Sequence, residues 1–312
     1  MTRYGGPDVM RYADLPDPPP GRGEVLVSVK AASVNPLDYK IRRGDLRIVT
    51  GGRFPKVLGC DFAGVVASCG PGISDLLPGD AVYGATPLYL RRPGAHAELL
   101  PVDARRVRPI PPELSFVEAA SLPVAALTAQ NGLRRCGDLS GRSVLVNGAT
   151  GGVGHFAVQI AKARGAVVTA ACSARNADLA QELGADAVVD YAAQYPARTG
   201  AAYDVVFDAH GGLGFRMAAW ILGPRGIYAT TLPTPGVLLH LLWRKAAGGR
   251  QLAAANMRAR PEDYAALERL IRDGAVRPFI GATFSLPDAA RAFTALEGGG
   301  ARGKIVIRIE KS

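Results

Sequence analysis

The sequence predicts an α/β protein in two parts, an open parallel sheet with crossover helices preceded by a smaller β-rich domain. Three observations carry that prediction. A strand, a glycine turn and a helix follow one another from Val144, reading VLVNGATGGVG and then HFAVQIAKA. Behind them, apolar strand-length runs alternate with helical ones, as VVTAAC, NADLAQELGA, AVVDY, YDVVFDA and GIYATTL. Ahead of them stand short β runs punctuated by Gly and Pro.

In the first of these, Val144 to Asn147 suit a buried strand and Gly148 ends it. Ala149-Thr150-Gly151-Gly152-Val153-Gly154 then turns the chain into the helix, with Ala149 in the first glycine position of a dinucleotide fingerprint. Gly151 lets the backbone approach a pyrophosphate, and Gly154 lets the helix pack close to the sheet. Gly152 and Val153 complete a helix N-terminus whose unpaired N–H groups suit phosphate charge.

The chain opens on Tyr4 to Gly23, where Gly5-Gly6-Pro7 and the run Pro16 to Pro20 read as loop or edge strand. EVLVSVKAASV alternates as a strand and ends at Asn35-Pro36-Leu37-Asp38-Tyr39-Lys40. A second β block runs through LGCDFAGVV, PGDAVY and Gly94 to Leu99, which places His96 in a strand pattern. SFVEAASLPVAALTAQNGL has helical periodicity and links the two parts. After the last sheet strand come an amphipathic helix, PEDYAALERLIRDGAV, with Gly274 as its stop, then a strand (FIGATFSL), a helix (PDAARAFTALEGG) and a final strand (KIVIRI). The closing strands predict that the tail folds back onto the first domain.

The totals narrow the classes. With 312 residues, two lobes are expected, and 48% hydrophobic with 21% charged residues describes a globular chain rather than a disordered one. No signal-peptide pattern and no run of roughly 20 apolar residues appear, so a cytoplasmic location is expected. Cys60, Cys69, Cys136 and Cys172 show no C-x-x-C pair and read as free thiols. The net charge of +10 is spread along the chain without a long basic run, which argues against nucleic acid as the main partner.

The order of motifs resembles the zinc-free quinone oxidoreductase branch of the medium-chain dehydrogenase/reductase superfamily. NPLDYK, GCDFAGVV, AHAELL, AASLPVAALTA, GATGGVG, ELGADAVVDY and ARGKIVI fall in that family's order over essentially the whole chain. The resemblance implies a GroES-like β-barrel catalytic domain over 1–122 and 262–312. It also implies a Rossmann doubly wound parallel sheet over 123–261, with a cofactor cleft between the two. Family members begin with a strand before the Tyr-Gly-Gly-Pro motif, and here Met1 falls almost on top of that motif. Zinc-dependent members place Cys, His and Cys on the metal, and the matching positions here are Asn35, Cys60 and Val124. Catalytic zinc takes three protein ligands and an open position. Asn and Val cannot replace thiolates, and Cys60 with Asp61 makes a poor site, so no metal is expected.

The same resemblance brings Asn35, Asp38, Tyr39 and Lys40 nearest the nicotinamide. Lys40 is the candidate donor that stabilises or protonates an enolate, and Asn35 the candidate for orienting substrate or ribose. The competing reading has Asn35 and Asp38 capping a turn beside Pro36 and Lys40 as a solvated surface lysine. Thr128 resembles the family's pocket threonine at the nicotinamide, Lys304 resembles a residue lining the same cleft, and Tyr191 matches an aromatic ring near the adenosine or else is a core tyrosine. His96 and His210 are candidate acids, though lone histidines are more often structural.

The cofactor expected is NADP(H). NAD-preferring sites place an acidic side chain after the second strand; here that position is Ala171, followed by Cys172, Ser173, Ala174, Arg175 and Asn176, and Ser173 and Arg175 can bond a 2′-phosphate. The expected activity is NADPH-dependent reduction of quinones or α,β-unsaturated carbonyls. The alternatives are an NADPH-binding protein with little turnover and, more remotely, a zinc-type alcohol dehydrogenase. A homodimer is expected. Residues 237–250, apolar and then basic, read either as a peripheral membrane or substrate-mouth segment or as a buried helix at a subunit interface.

Overall fold

The computed structural model describes residues 1–87, 92–193, 202–232, 251–257 and 259–310. The expectations for residues 237–250, and for the 88–93 loop over its first four residues, lie outside the described residues. The chain divides into two compact units, Met1–Val124 with Ile280–Ser312, and Ala125–Phe279.

The first unit contains β1 (Glu24–Val34), α1 (Pro36–Arg43), α2 (Arg47–Thr50), β2 (Asp61–Cys69), β3 (Ala81–Ala85), β4 (Leu99–Asp103), β5 (Val107–Pro109) and α3 (Phe116–Ser121). A capping box starts α3: Ser115 N–H donates to Glu118 Oε2 at 2.9 Å while Ser115 Oγ accepts from the Glu118 N–H. α4 (Pro123–Arg134) begins at Pro123, which has no N–H to leave unpaired in a first turn.

The second unit continues with β6 (Ser143–Asn147), α5 (Gly154–Ala163), β7 (Val167–Cys172), α6 (Ala177–Glu182), β8 (Ala187–Asp190), β9 (Tyr203–Asp208), α7 (Gly214–Ile221), β10 (Leu222–Thr230), β11 (Gln251–Ala254) and α8 (Pro261–Arg272). The chain then returns to the first unit as β12 (Ile280–Ser285), α9 (Ala289–Glu297) and β13 (Lys304–Arg308).

Among the described residues the second unit's six strands lie in the order β8-β7-β6-β9-β10-β11 and all pair in parallel. Numbered within the unit this is 3-2-1-4-5-6, the doubly wound dinucleotide-binding order, with its switch point between β6 and β9. Its core packs Leu145, Val206, Leu213, Ala218 and Tyr228.

Among the described residues the first unit's seven strands form one sheet, β12-β13-β1-β2-β3-β5, with β4 also paired to β1. β1 alternates buried and half-exposed residues until Val29, and a register shift between Val29 and Ala31 against β2 marks where full burial begins. The tail returns as expected: β13 runs antiparallel to β1, with Val34 opposite Ile305.

Two expectations need correction. The second domain boundary falls at 279/280 rather than 261/262, because α8 and the turn after it are tied to the second unit. Gln130 Nε2 donates to the Asp263 carbonyl at 2.6 Å, and the Gln159 side chain binds both the N–H and the C=O of Arg277, at 2.8 and 2.9 Å. His96 is not in a strand; it lies in the bends that precede β4.

Candidate active site

In the second unit the fingerprint builds a phosphate cradle. Gly148 takes φ +74°, a left-handed turn that a side chain would strain, and a Cβ on Gly154 would stand 1.9 Å from the Gly148 carbonyl oxygen. Gly154 is therefore required by the turn's own close approach. A Cβ on Gly151 would meet only that same oxygen, at 3.3 Å, so protein packing alone does not demand glycine there and the backbone lies open. Among the described residues the N–H groups of Gly152 and Val153 find no acceptor. They precede α5, whose N-terminal partial charge favours anions.

One strand over, β7 ends with Ala171 and Cys172, both buried. Ser173 follows with its Oγ buried and lacking a hydrogen-bond partner among the described residues, and Asn176 leaves its Oδ1 in the same state while its Nδ2 donates to Thr150 Oγ1 at 3.2 Å. Arg175 is exposed beside them. Unpartnered buried polar atoms after the strand next to the fingerprint fit a ligand that brings its own hydrogen-bonding groups, so these residues fit a dinucleotide. Asp190 ends β8 beside Cys172 and helps hold that thiol above its ordinary range, behind the larger effect of burial. Tyr191 is 44% exposed, which removes the core reading and leaves its ring free for a ligand. Thr128 is buried in α4.

The sequence did not single out Asp208. At the end of β9 it is fully buried and accepts from Asn147 Nδ2 (2.8 Å), Gly211 N–H (2.9 Å), Leu213 N–H (3.0 Å) and Tyr228 Oη (2.7 Å). This carboxylate fixes the loop after β9 at the switch point. His210 rides on that loop, exposed, with its Cβ 3.1 Å from where a Gly148 Cβ would lie. An acid at the carboxyl end of a parallel strand was the only signal available.

In the first unit Asn35, Asp38, Asp61 and Lys304 form one buried polar cluster. Asp61 accepts from Ser33 Oγ (2.7 Å), Asn35 Nδ2 (2.9 Å) and Val124 N–H (3.0 Å). Lys304 Nζ donates to Asn35 Oδ1 at 2.7 Å and lies 3.8 Å from Asp61 Oδ2. A carboxylate on one side and an amine on the other fix which end of the Asn35 amide is nitrogen. Burial pushes Asp61 above and Lys304 below their ordinary ranges, and their mutual attraction opposes both shifts. Asp38 Oδ2 accepts the Asn35 N–H at 2.7 Å, which is the helix-capping contact expected at Pro36, while its Oδ1 has no partner among the described residues. Burial raises Asp38 to about 7 against that hydrogen bond, and burial with the neighbouring carboxylates holds the Cys60 thiol well up.

The amide of Asn35, assigned from sequence to substrate or ribose, is thus bonded on both ends within the protein. Lys40 is half-buried on α1 and makes no side-chain hydrogen bond or ion pair among the described residues. His96 is structural. Its Nε2 lies 3.2 Å from the Ser33 carbonyl, and burial lowers it to about 4, so the neutral ring donates. The positions matching zinc ligands hold Asn35, whose amide is engaged, Cys60, and Val124, whose side chain has no donor atom. Among the described residues no group of three His, Cys, Asp or Glu side chains is placed to hold a metal ion, and these residues do not fit a catalytic zinc.

Residues 21–112 match the alcohol dehydrogenase GroES-like domain and residues 183–307 match the zinc-binding dehydrogenase family model. Over 97% of the chain and 95% of the relative, the sequence is 32% identical to a chloroplastic quinone-oxidoreductase homolog of Spinacia oleracea. The chain belongs to the medium-chain dehydrogenase/reductase superfamily. Within this superfamily it is also 33% identical to the mitochondrial NAD(P)H oxidoreductase RTN4IP1 of Mus musculus, covering 99% of the chain and 88% of the relative. The solved quinone oxidoreductase from Coxiella burnetii superposes with a TM-score of 0.91 at 30% identity, covering 99% of this chain and 98% of that one. The superfamily carries a nicotinamide cofactor and oxidoreductase chemistry, which agrees with the cradle at Gly151–Gly154.

Proposed function

We propose that this protein is an NADPH-dependent, zinc-independent reductase of quinones or α,β-unsaturated carbonyls. The observation that carries this reading is the end of β7, where Ala171 stands in place of an acid, the buried Ser173 Oγ has no partner among the described residues, and Arg175 follows two residues later, exposed. A carboxylate there would repel a 2′-phosphate, whereas a hydroxyl and a guanidinium bind one. Gly151, Gly152, Val153 and Gly154 would hold the pyrophosphate, and Tyr191, Thr128, Asn176 and Lys304 complete the expected set of cofactor contacts.

A bound nicotinamide would supply the hydride. The chain's own task is to meet negative charge developing on the acceptor oxygen, and hydrogen-bond donors are among the largest catalytic contributions of that kind. Lys40 and Thr128 are the donors offered, with Lys40 stabilising or protonating the enolate. Without three metal donors among Asn35, Cys60 and Val124, the site lacks Lewis-acid polarisation of a simple ketone, whereas a conjugated acceptor spreads its charge and is easier to reduce. Asn35 is assigned a positioning role, through its bonds to Asp61 and Lys304. The names of the spinach, mouse and Coxiella relatives support the substrate and cofactor classes, and a homodimer is part of the same proposal.

The test is an NADPH oxidation screen over quinones, enones and enals, run beside NADH. Oxidation of NADPH by at least one class, with simple ketones inert, supports the reading. Tight NADPH binding with no oxidation across the panel points instead to a cofactor-binding protein with little turnover, and zinc-dependent oxidation of alcohols overturns the proposal.

A further inference from the structure

Of the described histidines, His96 and His155 are buried, and each sets a ring nitrogen against a backbone carbonyl, that of Ser33 at 3.2 Å and that of Gly151 at 2.9 Å. His210 differs from both. It is exposed and makes no hydrogen bond or ion pair among the described residues, yet the backbone on either side of it is tied down. Ala209 N–H donates to the Asn147 carbonyl at 3.0 Å and the Ala209 carbonyl accepts from Thr231 Oγ1 at 3.1 Å, while the Gly211 and Leu213 N–H groups end on Asp208. A Cβ at Gly148 would come within 3.1 Å of the His210 Cβ, and one at Gly212 within 2.9 Å of its Cδ2. The imidazole is therefore carried on a fixed loop, against Gly148, where the fingerprint turn begins. We infer that His210 binds the nicotinamide half of the dinucleotide, its ring N–H donating to the ribose phosphate on that side.

The order of the sheet dictates which half that is. A dinucleotide lies across the point where strand order reverses, one mononucleotide on each side, and here that point separates β6 from β9. With the 2′-phosphate of the adenosine ribose at Ser173 and Arg175 after β7, and the pyrophosphate at the Gly152 and Val153 N–H groups, the remaining ribose phosphate has to cross toward the end of β9. His210 stands there with an unused donor. An imidazole keeps at least one N–H in either protonation state, and a hydrogen bond to a phosphate oxygen is of the stronger, charge-assisted kind. A histidine that merely faced water would gain nothing from the two glycines beside it or from its fixed flanks. This role rests on a dinucleotide being bound as proposed above, and it differs from that of Arg175 because it senses the half that NADP and NAD share.

Titration calorimetry of wild type, His210→Phe and His210→Gln with NADP+, NAD+ and 2′,5′-ADP tests it. The last of these carries adenosine and its phosphates without the nicotinamide half. His210→Phe keeps an aromatic ring and removes the donor. Expected are losses of about tenfold for NADP+ and NAD+ alike, the scale of one hydrogen bond to a charged group, with 2′,5′-ADP affinity within about twofold of wild type. His210→Gln, whose amide also donates, should recover part of the loss. Unchanged NADP+ affinity in His210→Phe would overturn the inference. So would an equal loss for 2′,5′-ADP, or a loss of affinity that comes with a lowered thermal midpoint and is not recovered in His210→Gln, since either would make the residue's effect one on the fold. Wild-type protein that binds none of the three ligands would instead overturn the dinucleotide reading itself, and this role with it.

Discussion

Asn147 donates from Nδ2 to Asp208 Oδ1 at 2.8 Å, tying the last residue of β6 to the last residue of β9 across the point where strand order reverses. The same carboxylate receives two loop N–H groups and the Tyr228 hydroxyl, so every approach to it is used. Burial first and Asp208 second push the Tyr228 phenol well above its ordinary range, so it stays a donor.

Asp208→Ala should therefore leave four donors without their acceptor, two of them buried and two half-buried. Hydrogen bonds to a charged group contribute about 1.5–3 kcal/mol each and are not additive, so a loss on the order of 3–5 kcal/mol is expected in urea denaturation. Nicotinamide-cofactor affinity should fall with it, because the loop bearing Gly211 to Leu213 loses its anchor. A variant within about 1 kcal/mol of wild type would contradict this account of the switch point.

Arg175→Ala should weaken NADPH roughly ten- to hundredfold, the scale of one charge-assisted hydrogen bond, and leave NADH nearly unchanged. Titration calorimetry with both cofactors reads the difference. Equal losses for the two would show that Arg175 does not meet the 2′-phosphate.

How much of this was legible varies by element, and the reasons are physical. Val144 to Gly154 could be read because a buried strand, a glycine turn and a 3.6-residue period follow at fixed spacing, and the return of β13 to β1 followed from strand patterning. The second domain boundary could not be read: the amphipathic pattern of α8 shows that it has a buried face, not which unit covers it, and Gln130 and Gln159 supply that answer across 133 and 118 residues. Asn35 was recognised by its motif, but its partners were not, since Lys304 lies 269 residues away. Asp208 looked like the end of an apolar strand, and only the fold shows four donors converging on it.

Lys40→Met should lower turnover on the best quinone or enone by about 10- to 1,000-fold, the range seen when one charge-stabilising donor is removed, with NADPH affinity retained. Lys40 is half-buried and pairs with no described side chain, so its loss should leave thermal stability nearly unchanged. Asn35→Ala behaves differently. It strips acceptors and donors from Asp61 and Lys304 at once and should cost on the order of 2–4 kcal/mol of stability. Wild-type turnover in Lys40→Met would remove the lysine from the chemistry.

Two buried groups in the first unit give stability opposite slopes with pH. Asp38 titrates at about 7 in the native protein against an ordinary 3.8, raised by desolvation and by Asp61, with the Asn35 N–H, Lys304 and Cys60 opposing. Between those values the native state holds more protons than the unfolded one, so this contribution to stability is lost as pH rises from about 4 to 7. His96 titrates at about 4 against an ordinary 6.5, lowered by desolvation, with the Ser33 carbonyl opposing and the N-terminal amine adding slightly. Here the unfolded state holds more protons, so stability is lost as pH falls from 6.5 toward 4. At about 1.4 kcal/mol per pH unit, each effect is on the order of 3–5 kcal/mol across its window. The two partly cancel in the wild type, and substitution separates them. Asp38→Asn should gain on wild type as pH rises toward 7 and above, and His96→Gln should gain on wild type as pH falls below about 6. The slope of the stability difference against pH is the readout in each case, because both variants also lose contacts that do not titrate. Parallel stability curves for Asp38→Asn and wild type between pH 4 and 8 would mean that Asp38 keeps its charge on burial.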